Sequence, residues 1–161
     1  MSTKTIQFSL TEAGIDSAIA QIEAYKFELR QKCNQLIEAL ANDGKEVAKM
    51  YVTSYGAVST GTLLESITGF FDSKTRTGFI RTDCPHAIYV EYGTGVVGLK
   101  HQHPLKGDDW YDIHHHGDAG WWYMLNGELH WTKGMPARPF MYSTFSVLSQ
   151  KAQELANTVF A

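Results

Sequence analysis

Several features that would place a chain in a specialised class are missing from these 161 residues. There is no surplus of basic residues: 14 Lys and Arg stand against 17 Asp and Glu, a formal net charge of −3. Broad electrostatic capture of nucleic acid or of an anionic membrane needs clustered cations. Neither a membrane nor sequence-specific nucleic acid is therefore expected as a partner. Cysteine is scarce. Cys33 lies in a helical pattern and Cys84 precedes Pro85; one disulfide could be drawn, but two free thiols in a reducing cytoplasm fit better. No stretch approaches the ~20 apolar residues that a membrane span needs. The opening Met1-Ser2-Thr3-Lys4 has no apolar run of the signal-peptide kind, so a protein made in a cytoplasm is expected. There is no Cys-x-x-Cys and no His-Glu-x-x-His, and Gly95-Val96-Val97-Gly98 lacks the lysine and Ser/Thr of a phosphate loop. No catalytic residue is singled out and no cofactor is implied.

What is present reads as a folded chain, 43% hydrophobic and 19% charged, long enough for one domain with a real core and too short for two. Thr5 to Leu10 alternate in period two and predict a short strand. Ile15, Ile22, Leu29, Leu36 and Met50 then recur at sevens, with Ile19, Cys33, Leu40 and Val47 between them. That is a narrow apolar seam on a helix of some forty residues, suited to lying on a sheet or against a helix of another subunit. Asn42-Asp43-Gly44 suits a helix C-cap, so two helices or one kinked helix are expected. Residues 67–71 and 77–82 predict a hairpin about a polar turn. Residues 86–94 predict a short helix begun near Pro85 and ended at Gly93. Residues 95–120 lose apolar spacing and predict a long loop. Asn126-Gly127 between aromatic-rich runs is a strong hairpin signal. From Phe140, apolar residues recur at threes and fours, and Pro139 opens a final helix. The fold class expected is α+β. A long N-terminal helix (or two) and a C-terminal helix pack on a small, mainly antiparallel sheet. A long loop and an aromatic hairpin form an insertion at 95–134 within a single domain, 1–161.

Two segments are read as a structural clasp. In His86-Ala87-Ile88-Tyr89-Val90-Glu91-Tyr92-Gly93-Thr94 one carboxylate sits among apolar neighbours; in Gly134-Met135-Pro136-Ala137-Arg138-Pro139-Phe140 an arginine stands between prolines. A buried carboxylate is expensive unless paired, and a guanidinium fork can hold one in two contacts. Glu91 is therefore expected to pair with Arg138, within a subunit or across a subunit boundary. Gly93 and Thr94 end the first segment, while Pro139 presets the backbone of the last helix and Phe140 plugs the core.

The insertion holds the remaining chemistry. Histidines 101, 103, 114, 115, 116 and 130 lie near Asp108, Asp109, Asp112 and Asp118. Imidazoles and carboxylates can hold zinc, nickel or copper, which makes His101, His103, His114 and His116 weak candidate ligands. Their spacing matches no known metal pattern, so none is assigned; a polar loop with histidines stacked on aromatic rings is the plainer reading. Trp110, Trp121, Trp122 and Trp131 are the candidate interface residues, since tryptophan and tyrosine are enriched where proteins meet.

Three runs in order, Gly61-Thr62-Leu63-Leu64-Glu65-Ser66-Ile67, then Ala87 to Thr94, then Pro136-Ala137-Arg138-Pro139-Phe140-Met141, resemble the neck or head–tail joining family of long-tailed bacteriophages. Its members are also called tail-completion or minor capsid proteins. The resemblance covers most of residues 10–160. It implies an α+β subunit without enzymatic activity that forms a ring with copies of itself between the head or portal and the tail. Its neighbours would be a portal or head-completion protein and a tail terminator, and it would reside in the virion after synthesis in the bacterial host cytoplasm. The chain departs from the family pattern between Gly95 and Gly134, where a short connection is expected; this stretch holds all four tryptophans and six of the seven histidines. Two other functions are consistent with the residues alone. One is a metal-dependent hydrolase using the His/Asp-rich insertion; the other is a tryptophan-rich carbohydrate- or protein-binding module.

Overall fold

A computed structural model describes residues 5–105 and 119–160. The elements run α1 (Glu12–Ser54), α2 (Thr62–Ser66), β1 (Thr68–Asp72), β2 (Thr77–Arg81), α3 (Ala87–Tyr92), α4 (Gly95–Lys100), β3 (Trp121–Leu125), β4 (Glu128–Thr132) and α5 (Phe140–Phe160). The class is α+β, with long first and last helices. No helix among the described residues is long and apolar enough to cross a membrane.

The α1 helix begins where the Thr11 hydroxyl accepts the Gly14 N–H at 3.1 Å, and it continues unbroken for 43 residues. The break expected at Asn42-Asp43-Gly44 does not form. Gly44 is a helical, buried residue against which the Ile80 and Leu148 side chains press, and a Cβ there would collide with both. Glycine at this position serves close packing of three elements, not helix termination. The strand expected at 5–10 is also absent. A strand needs a neighbour for its backbone groups, and the β1–β2 and β3–β4 sheets do not extend to it.

The single sheet foreseen is two separate antiparallel hairpins. In the first, Thr68 pairs with Arg81 and Asp72 with Thr77. Phe70 stacks on Phe79 at 4.9 Å and the Arg81 guanidinium lies over Phe70 at 5.0 Å. This hairpin packs on α1. The second, β3–β4, turns at Asn126 and Gly127, both with positive φ (53° and 85°) as a two-residue hairpin turn demands. Of the long loop expected at 95–120, residues 95–100 form α4. Residues 106–118 lie outside the described residues.

The α5 helix runs antiparallel to the second half of α1. The Tyr55 and Ser143 hydroxyls meet at 2.9 Å, Leu148 lies at Gly44, and Lys151 reaches Asp43 at 4.0 Å. The core lies where α1, α2, α3 and the start of α5 converge: Ala48, Val52, Leu63, Ile67, Cys84, Ala87, Val90 and Phe140 form one buried cluster. The three segments that carry the family resemblance each contribute side chains to it.

Ile67 is 1% exposed and Phe145 is 69% exposed. Ile67→Ala is expected to lower unfolding free energy by about 2–5 kcal/mol, and Phe145→Ala to change it by no more than about 0.5 kcal/mol; urea denaturation checks both. At the first hairpin turn the Lys74 N–H, then the Thr75 hydroxyl, hold the half-buried Asp72 carboxyl below its ordinary value near 3.8. A depressed folded-state value means that its contribution is complete above the ordinary carboxylate range and fades as pH falls through the depressed value. Asp72→Asn should therefore flatten part of the loss of stability below pH about 4; an unchanged acid limb in urea titrations contradicts this.

Candidate functional site

The clasp is built on backbone accounting. From Gly134 to Ser143 every available N–H has an acceptor. Gly134 donates to the Thr132 hydroxyl at 3.0 Å. Met135 donates to the Thr94 carbonyl at 3.1 Å, while the Thr94 N–H returns to the Met135 carbonyl at 2.9 Å. Ala137 donates to the His101 carbonyl at 3.0 Å and Arg138 to the Val90 carbonyl at 2.8 Å. Phe140 donates to the Arg138 carbonyl and Ser143 to the Pro139 carbonyl. Pro136 and Pro139 have no N–H, so the two positions without an acceptor are the two that need none. Gly93, at φ 77°, lets this segment pass close by; a Cβ there would press on the Ala137 nitrogen and the Met135 oxygen.

Two donors remain, Met141 and Tyr142, the second and third residues of α5. First-turn amides have no partner within their own helix, and Pro139 at the cap offers no side-chain acceptor. Glu91, fifty residues earlier, supplies it. Its Oε2 accepts the Met141 N–H at 2.8 Å and its Oε1 the Tyr142 N–H at 2.9 Å. The carboxylate also meets the positive end of the α5 dipole. Glu91 is 7% exposed and His103 2%. The His103 Nε2 lies 3.1 Å from Glu91 Oε1. The Leu105 N–H donates to His103 Nδ1 at 3.0 Å, which assigns Nε2 as the donor to Glu91. The Tyr92 ring is 4.5 Å from the imidazole, centroid to centroid, and the Tyr142 ring stands edge-on at 5.4 Å.

The expected Glu91–Arg138 pair is thus corrected. The carboxylate's partners are two amides and an imidazole. The Arg138 side chain instead lines a small cleft with Gly56–Gly61, Leu63, Leu64, His86, Val90 and Met135, and forms no ion pair among the described residues. Arg138 holds α3 through its backbone. Pro139 and Phe140 stand at the start of α5, and Phe140 is 1% exposed in the core.

The weak metal candidates divide. His103 is enclosed by the clasp; His101 has an exposed side chain and contributes its carbonyl. His114 and His116 lie outside the described residues. Among the described residues no three or more His, Cys, Asp or Glu side chains gather as a metal site would require. Both cysteines are free, Cys33 exposed and Cys84 buried. The Cys84 sulfur is 3.1 Å from both ring nitrogens of His86, a contact that sequence reading missed; a thiol this enclosed offers a substrate no approach.

The candidate interface tryptophans also divide. Trp110 lies outside the described residues. Trp121 is half-buried at the base of β3 near Gly95. Trp122 and Trp131 face each other across the strands, edge to face at 5.3 Å, and are 61% and 48% exposed. Met124, at 63%, and Leu129, at 63%, extend the same uncovered hairpin. An apolar ribbon this open is what a partner surface requires. Compared with known protein families, curated proteins and solved structures, the chain matches none.

Glu91→Ala removes a helix cap worth about 0.5–2 kcal/mol and leaves partly buried donors without that acceptor, at up to about 1–3 kcal/mol. In a double-mutant cycle by urea denaturation, Glu91 and His103 should couple by about 0.5–3 kcal/mol, and Glu91 and Arg138 should not. Stronger coupling to Arg138 contradicts the assignment.

Proposed function

We propose that this chain is a non-enzymatic structural subunit of phage assembly, joining head or portal to tail as a neck or tail-completion protein. The observation that carries the reading is the convergence of three separate segments. Residues 61–67, 87–94 and 136–141, whose order resembles the family, share one core cluster, and the last two also form the clasp. A resemblance spread over distant stretches has structural weight when those stretches serve one purpose. The uncovered β3–β4 hairpin adds a second support. Subunits of a ring need apolar anchors that stay exposed until assembly, and Trp122, Met124, Leu129 and Trp131 suit that role. On this reading the partners are other copies in a ring, a portal or head-completion protein and a tail terminator, and the site of residence is the virion neck.

The test is genetic and visual. In a phage encoding this chain, its deletion should yield filled heads and separate tails by negative-stain microscopy. Joining should return with the wild-type chain. It should not return with Trp122→Ser combined with Trp131→Ser, exposed substitutions that leave thermal stability near wild type. Intact virions formed without the chain contradict the proposal.

A further inference from the structure

The first half of α1 extends beyond the reach of α5. With Leu148 at Gly44, Lys151 at Asp43 and an antiparallel course, α5 at 1.5 Å per residue ends at about the level of Cys33. Where α5 covers α1, the apolar seam is covered too: Val47 is 9% exposed, and Leu36 and Leu40 are half-buried. Beyond that level the seam is open at its isoleucines, while Leu29 on it is half-buried and, at its edge, Tyr25 is half-buried and Ala18 is 6% exposed. Ile15, Ile19 and Ile22 are 44%, 49% and 43% exposed, and Cys33 is exposed as well.

The open stretch reads as heptads. Ile15, Ile22, Leu29 and Leu36 occupy one seam position, and Ile19, Lys26, Cys33 and Leu40 the other. Asp16, Glu23 and Arg30 flank the seam on one side. In the seam and at its flanks the charges are divided along the helix: Glu12, Asp16 and Glu23 come first, then Lys26, Arg30 and Lys32, while Glu28 lies away from the seam. Division of this kind decides orientation. In a parallel pair Lys26 faces Lys26 of the other copy, and no flanking acid meets a base. In an antiparallel pair about a two-fold axis near Ala24, Ile19 layers against Leu29, Ile22 against Lys26 and Ile15 against Cys33. Arg30 then falls beside the other copy's Asp16, and Lys26 beside its Glu23, each twice by symmetry. Like charges are separated and opposite charges meet.

We infer that the first half of α1 is a docking surface for the same helix of a second copy, in antiparallel orientation. Such a contact is isologous and closes at two copies. It is therefore a different surface from any ring contact and stands independently of the phage reading.

The full chain, measured by sedimentation velocity at tens of micromolar, should be a dimer. Ile19→Asp, an exposed change, should halve the mass while leaving the helical circular dichroism signal unchanged. Orientation is read by mild oxidation and peptide mapping. In Ile15→Cys the introduced sulfur should cross-link to Cys33 of the other copy, twice per dimer, while wild type should give no Cys33–Cys33 link. A monomeric wild type, an Ile19→Asp chain that still associates, or a wild-type Cys33–Cys33 link would each overturn the inference. None of these outcomes bears on head–tail joining, which the deletion experiment tests separately.

Discussion

The carboxylate of Glu91 is the constraint around which the body is arranged. An α-helix begins with unpaired N–H groups, and α5 begins with a proline at its cap that cannot accept them from its own side chain. Glu91 meets two of them from another helix, so α5 cannot be correctly started unless α3 is in place. That single requirement couples residues fifty apart and turns a local capping problem into a tertiary one. The desolvation cost of burying the carboxylate is offset by three donors and the α5 dipole. A lone arginine partner would have left the helix start unsatisfied.

The consequences propagate outwards. With α5 fixed at its first turn, Phe140 enters the core beside Ile67 and Val52, and the helix continues down the second half of α1. With the 134–138 segment bonded to α3, Thr94 and His101, the β3–β4 hairpin leaves the body at a defined place. The clasp thus determines which surfaces remain uncovered: the aromatic hairpin on one side, and the stretch of α1 that α5 does not reach. Around Glu91 the described groups are two backbone amides and the His103 imidazole, and what they do together is position α5 on α3.

Elements with a local cause were legible in the sequence. Helix α1 follows from apolar spacing, β3–β4 from Asn126-Gly127, the end of α3 from Gly93, and the start of α5 from Pro139. The clasp was half legible. Glu91 stood out as an acid among apolar residues, and the 134–140 segment as its neighbour. The partner chosen was wrong because charge complementarity suggested an arginine, while the actual demand came from unpaired amides. Backbone N–H groups are identical at every residue and leave no compositional mark. His103 was missed for a related reason: within a polar, histidine-rich loop, nothing local distinguishes the one ring that is buried. Gly44 misled because a glycine needed for close packing reads the same as one that ends a helix. The division of one sheet into two hairpins depends on where the chain turns in space, which strand periodicity does not report.

Amide hydrogen exchange at Met141 and Tyr142 tests the central claim most directly. First-turn amides of a helix ordinarily exchange fast, because they lack an intrahelical acceptor. Here both should be protected to the level of core amides such as Val90, and Glu91→Gln should sharply reduce that protection while amides in the middle of α5 keep theirs. Rapid exchange of Met141 and Tyr142 in the wild-type chain would contradict the account.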